Sequence, residues 1–308
     1  MRFENLLTNE DIERAAKLTV TPQIMTGAAM SQLNAIEAFW TDIIHPYIHQ
    51  HETLPLRQLA MASLGDRLIG HARVVPKLNS LVYQQTATAA ERSVIELWLD
   101  IQLLHRNVFA DGVERLFAFA EYQKLQSARR TVRFFAEHPH LDESPPAALP
   151  HQAYITANDA RIDARTFELW GTPGKKPPRP EHWSAMNVPD RAKAVSLEAQ
   201  LLVLHGYDMR NFAVHSGVAG IMNVPATAQE LVFVQSVANV AKCLMEALRI
   251  MGTELEIPKS VDSYNGIVDY LDDLMAYAVS DAVLRLQGEP QRLFFRNGPW
   301  SVTSEPSA

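Results

Sequence analysis

Cysteine is nearly absent from this chain, with Cys243 the only one in 308 residues. That excludes an internal disulfide and a cysteine-rich zinc site, and it fits a reducing compartment; Cys243 itself reads as a small buried apolar residue on a helix. Positive charge is also scarce. Lys and Arg total 28 against 35 Asp and Glu, for a formal net charge of -7, so the surface is not basic all over and any anionic partner must meet a local patch. There is no glycine-rich phosphate loop, internal repeat, nucleophile elbow, serine triad or catalytic cysteine. Alternation of apolar and polar residues is missing, which argues against a sheet. The opening stretch MRFENLLTNEDIERAAKL is acidic and lacks the basic start and apolar centre of a secretory signal. A charge-free stretch, Asn211 to Gln229, contains Pro225, His215 and two asparagines, a poor membrane span. The expectation is a soluble, cytoplasmic protein with no membrane partner.

Helical periodicity dominates what is present. Ala29, Leu33, Ile36, Trp40 and Ile43 make one stripe, and Val94, Leu97, Ile101, Leu104 and Val108 another, each at the three-four spacing of a helix face. A third helix is expected over Val113 to Arg133, with Val113, Leu116, Phe117 and Ala120 inward, ending before the turn at His138-Pro139-His140. Residues 138 to 190 hold nine prolines and read as a loop-rich interlude rather than a packed layer. Asp190 then caps a helix running to about Ser216. Thr227 and Glu230 form a capping box for the next helix, which carries Leu231, Val234, Ala238, Ala241, Met245 and Leu248 inward and stops at Gly252. A last helix carries Tyr264, Val268, Leu271, Met275, Ala278 and Ala282. The reading is an all-α, up-and-down helical bundle over residues 85–290 with a Pro-rich insertion at 138–190, an N-terminal helical extension at 1–84, and a C-terminal tail at 291–308.

Chemistry concentrates in YDMRNFAVHSG, residues 207 to 217. On a helix from Asp190 to Ser216, Leu197, Leu201, Leu204, Asp208, Asn211 and His215 share one stripe, which starts as leucine and finishes polar. Buried and unpaired, such polar groups cost about 1 to 3 kcal/mol each, so they must bond one another or face a wet cleft. Arg210 and His215 are five residues apart, about 140° on an ideal helix. They meet if the arginine curls around the helix, if the helix end unwinds near Gly217, or if a second subunit supplies the partner side chain.

The run Arg210-Asn211-Phe212-Ala213-Val214-His215 resembles the R-N-x-x-x-H signature of the HEPN superfamily of helical ribonucleases, found in bacterial toxin-antitoxin, abortive-infection and CRISPR-associated systems. ERSVIELWLDIQLLH, VERLFAFAEYQKLQSARR and HWSAMNVPDRAKA are also similar to an uncharacterised bacterial family of related helical proteins. The resemblance covers roughly residues 85 to 250. It implies metal-independent RNA cleavage in a cleft between two subunits of a homodimer, in phage defence or a toxin-like role, with an antitoxin or defence-system protein as a further partner and no cofactor. Arg210 and His215 are then the catalytic pair and Asn211 their support. One branch of the superfamily is silenced by nucleotidylation of a tyrosine two positions after the histidine, where this chain has Gly217, so that control does not carry over. The alternatives are a catalytically inactive helical module that binds RNA or a partner protein through the same cleft, and a structural protein whose polar cluster only finishes a helix.

Supporting residues are expected at Asp208, at Glu96, and at Arg92, which can pair with Glu96 at i, i+4. RNA-binding candidates come from two patches with a local basic excess, Arg129 and Arg130 on the third helix and Lys175, Lys176 and Arg179 in the proline-rich stretch. His45, His49, His51 and Glu52 carry metal-ligand residue types, but Pro46 and the lack of a second cluster argue against a site. Glu137 and His140 have di-iron spacing in a single copy. No metal is expected.

Overall fold

The computed structural model describes residues 2–50, 53–78, 84–142, 146–208, 226–257 and 262–296. They are predominantly helical. Two compact units emerge, one from residues 1–106 with 191–308 and one from Asn107–Asp190. These divisions do not follow the sequence boundaries at 84 and 290, because helices on both sides of residue 84 pack into the same unit.

The first unit is built on α5 (Gln84–His105), which packs against α4 (Leu56–Ala72) and α10 (Ala226–Glu254); α10 also meets α2 (Pro22–Phe39), and α2 in turn meets α11 (Asp262–Leu286). On α5 the expected stripe of Val94, Leu97, Ile101 and Leu104 is buried, but so are Ile95, Trp98, Leu99 and Leu103. Burial on more than one face puts α5 in the middle of its bundle. Val108 is exposed, beyond the end of α5. The α10 window Leu231–Glu254 is long and apolar enough to cross a membrane, yet more than half of it is buried in the fold.

Helix α2 buries Ala29, Leu33 and Ile36 as expected. It then widens into a π turn, Trp40–Ile44, before α3 (His45–Gln50). The extra residue advances the phase, so Ile44 is buried where Ile43 was expected. That turn directly precedes Pro46, which has no N–H to close an ordinary rung. Gly65 of α4 lies under the Trp40 ring, where a Cβ would sit 2.3 Å from Cη2, and Trp40 donates its Nε1 proton to Asp66 at 3.0 Å. Gly252 is not a helix stop. It lies inside α10 because the Tyr264 ring covers it at 2.3 Å from an ideal Cβ, and the Tyr264 hydroxyl donates to the Leu248 carbonyl.

Two expectations about the ends are overturned. Arg2–Asn5 (β1) pairs antiparallel with Leu293–Arg296 (β2), so the chain holds a two-stranded ribbon and the segment after 290 is not simply a tail. Asp281 Oδ1 accepts the Arg292 and Leu293 amides at 2.6 and 3.0 Å and starts the second strand. Behind the ribbon, α1 (Asn9–Ala15) opens with a Thr8–Asp11 capping box.

In the second unit, α6 (Gly112–Glu137) packs against α7 (Ala148–Trp170). Helix α6 ends at Glu137, before the His138-Pro139-His140 turn, as the sequence indicates. Its buried face is Ala118, Phe119, Tyr122, Leu125 and Ala128, with Ala120 exposed. The 23-residue α7 contradicts a loop-rich reading of 138–190. The prolines punctuate its edges, and Pro150 falls in its first turn, where a missing N–H is harmless.

Candidate functional site

The sequence places the site on one continuous helix from Asp190 to Ser216; the structure divides that stretch. Helix α8 (Val188–Val195) stops and Ser196 caps α9 (Leu197–Val203), its Oγ accepting the Ala199 amide at 3.0 Å. A π turn, Leu204–Asp208, follows. The leucine stripe proposed as the core face is the outer one: Leu197, Leu201 and Leu204 are 67, 49 and 50% exposed, while Ala199, Leu202 and Val203 are buried. The Ser196 break resets the helix phase, and the apolar opposite face wins the interior.

Arg210, Asn211 and His215 lie outside the described residues, as do the side chain of Asp208 and those of Thr227 and Glu230. The turn that precedes them packs closely on two helices. Gly206 rests on α5 and α10 so closely that a Cβ would lie 2.8 Å from Glu91 Oε1, 2.8 Å from Ile95 Cδ1 and 3.1 Å from Asn239 Nδ2. Only glycine lets backbone approach to this distance. Glu91 is fully buried, and Asn239 donates its Nδ2 proton to Glu91 Oε1 at 2.7 Å.

One turn along α5 a second buried charge cluster begins. Arg191 of α8, 3% exposed, donates from Nη1 to Asp100 Oδ1 at 3.0 Å and from Nη2 to Glu96 Oε2 at 3.4 Å. Charges this far from water persist only when paired and hydrogen-bonded. Glu96 therefore supports an arginine, but Arg191 rather than Arg210 is the one described. Arg92 does not pair with Glu96 among the described residues. Its guanidinium lies over the Tyr207 ring, 4.3 Å from the centroid, a cation–π contact. Its buried Nε has no hydrogen-bond partner among the described residues. Burial, with the Glu96 charge adding to it, pushes the Tyr207 hydroxyl above its ordinary pKa, and Arg92 pulls the other way.

Sequence reasoning missed Glu91, Asp100, Arg191, Gly206, Tyr207 and Asn239, the residues that make these contacts. Asp100 stands one turn beyond Glu96 amid apolar residues, which is a readable signal for a buried charge; Gly206 and Asn239 carry none.

The RNA-binding candidates lie in the other unit. Arg129 is forked onto Asp163 at 3.1 and 2.6 Å, and Arg161 of α7 onto Glu121 at 3.0 and 2.8 Å. Arg165 is paired with Glu114 and Glu168. Much of the basic excess is thus neutralised by ties between α6 and α7. Arg130, Lys175, Lys176 and Arg179 are exposed. Among the described residues no group of three or more metal-ligand side chains converges, and His51 and Glu52 lie outside them.

Searches with protein-family models, among curated proteins and among solved structures find no match to this chain.

Proposed function

We propose that this chain is a metal-independent endoribonuclease of HEPN type, with Arg210 and His215 as its catalytic pair and Asn211 one turn from His215 to orient its ring. The observation that carries the reading is the clamped turn at Gly206–Tyr207. The backbone four residues ahead of Arg210 is held against buried Glu91 and Asn239, the kind of rigid support a reactive constellation needs. In this reading His215 withdraws the ribose 2′-hydroxyl proton, the 2′-oxygen attacks phosphorus, and Arg210 stabilises the added negative charge. The P–O5′ bond breaks as the 5′-oxygen takes up a proton, which leaves a 2′,3′-cyclic phosphate and a 5′-hydroxyl. An imidazole that titrates near neutrality suits both proton transfers, which contribute roughly a hundred- to ten-thousand-fold, and a guanidinium fork suits phosphate oxygens. The protein acts as a homodimer in phage defence or a toxin-like role, with exposed Arg130, Lys175, Lys176 and Arg179 contacting the RNA backbone.

The test is incubation of the purified protein with RNA in EDTA, beside Arg210→Ala and His215→Ala. Cleavage that survives chelation, leaves cyclic phosphate ends and disappears in both variants supports the enzyme. Cleavage that persists in either variant overturns the assignment. A second reading, a catalytically inactive module that binds RNA or a partner protein, is favoured by the exposed leucines 197, 201 and 204 beside the same turn, since such stripes mark contact surfaces. RNA retention without any cleavage selects it.

A further inference from the structure

His45 and His49 occupy the outer face of α3, one turn apart and both exposed. Their Nε2 atoms are 3.0 Å from each other and their ring centroids 4.2 Å apart. The orientation of α3 is fixed from behind. Ile44 and Ile48 are buried on its inner side, and the Tyr47 hydroxyl lies 3.1 Å from the Leu255 carbonyl and 3.3 Å from that of Glu256. The helix cannot turn to bury the imidazoles, so both are presented to solvent with their distal nitrogens converging on one point.

We propose that His45 and His49 form a two-histidine site for a divalent late-first-row transition-metal ion, with preference for copper(II) and nickel(II). Two imidazole nitrogens about 2.1 Å from one ion are about 3.0 Å apart at a 90° angle and about 3.4 Å apart at the tetrahedral angle, so this pair, 3.0 Å apart in its mutual hydrogen bond, needs only a small ring rotation to share one ion. Ligand type carries the choice: among first-row divalent ions imidazole nitrogens hold copper(II) most tightly, with nickel(II) next below it in the series. Without metal, one ring donates its Nε2 proton to the other. On binding, that ring moves its proton to Nδ1, both Nε2 lone pairs turn to the ion, and water fills the remaining positions. No net proton is released and no electron moves.

The site is independent of the nuclease reading, and its test reads binding directly. The full chain is titrated calorimetrically with copper(II), nickel(II) and zinc(II) chlorides in a non-chelating buffer, beside His45→Gln, His49→Gln and the shuffled double variant His49→Gln with Gln50→His. The expected result is one ion per chain, copper tightest, and weakening of roughly a hundredfold in each single variant, because a lone imidazole has no chelate partner. The shuffled variant keeps the histidine count but breaks the one-turn spacing, so it must weaken equally, and far-UV circular dichroism checks that all three remain folded. Two nitrogens coupled to copper(II) in the electron paramagnetic resonance spectrum support the assignment. Binding at full strength in any folded variant, or a zinc preference over copper, overturns it.

Discussion

Gly206 is the residue on which the candidate site turns. A methyl group there meets a carboxylate oxygen, an isoleucine methyl and an amide nitrogen all at once, and overpacking of this kind costs about 1–3 kcal/mol. Gly206→Ala is therefore expected to lower stability by that amount in urea titrations and to reduce RNA cleavage by more than the loss of folded protein explains. Stability unchanged within error would show that the turn does not rest on α5. Arg191 gives a second prediction. Its replacement by leucine leaves Asp100, buried on α5, without its guanidinium, and one-sided loss of a buried pair costs about 3–5 kcal/mol; a midpoint shift equal to that of a typical surface substitution would contradict it. On the RNA side, Arg129→Ala is expected to leave affinity and its salt slope unchanged, since its fork is occupied by Asp163. Lys175→Ala with Lys176→Ala is expected to weaken binding and flatten the slope by about two phosphate contacts. Filter binding at several salt concentrations separates the two. At this scale the sequence was partly legible. Glu96 and Arg92 stood out as charges on an apolar helix, whereas the closeness of Gly206 to Asn239, 33 positions later in the chain, is a product of packing that no local pattern encodes.

Among elements, the π turn at Trp40–Ile44 explains one shift in the periodicity. A three-four pattern assumes a constant 3.6 residues per turn, so one inserted residue transfers burial to a neighbour, as from Ile43 to Ile44. The helix expected over 190–216 failed for a related reason. Ser196 caps α9, yet it stands inside a continuous helical pattern and reads as an interior polar position. Its role is testable: Ser196→Ala removes the acceptor for the Ala199 amide and is expected to cost about 1 kcal/mol, measured as a shift in the thermal midpoint; Ser196→Asp should retain most of the stability. Helix α7 shows the opposite error, where prolines at a segment's margins obscured 23 helical residues between them.

For the whole molecule, the all-α character was readable, and the short ribbon was not, since four-residue strands are too brief for alternation to register. That ribbon is buttressed by charge: Arg292 pairs with Asp11 and Glu289, and Arg14 reaches Asp11 and Glu289 as well. The Thr8 amide and hydroxyl, with Arg292 beside them, hold the Asp11 carboxyl down at about 2. A folded-state value below the unfolded one means the carboxylate stabilises the fold above the ordinary carboxylate range, and that contribution disappears as pH falls through it toward 2. Asp11→Asn is expected to lower stability near pH 6 and to make little difference near pH 2; equal losses at both would rule out ionisation as the cause. A different consequence follows from the central helix. Residues 84–105 bury side chains on more than one face, Glu91 and Asp100 among them, and Trp98 meets Glu246 across 148 positions of chain. At about 5–20 residues per second of synthesis, that helix leaves the ribosome roughly 7–30 seconds before its cover is made. The nascent chain thus passes through an interval in which the apolar side chains of this helix are open to a chaperone.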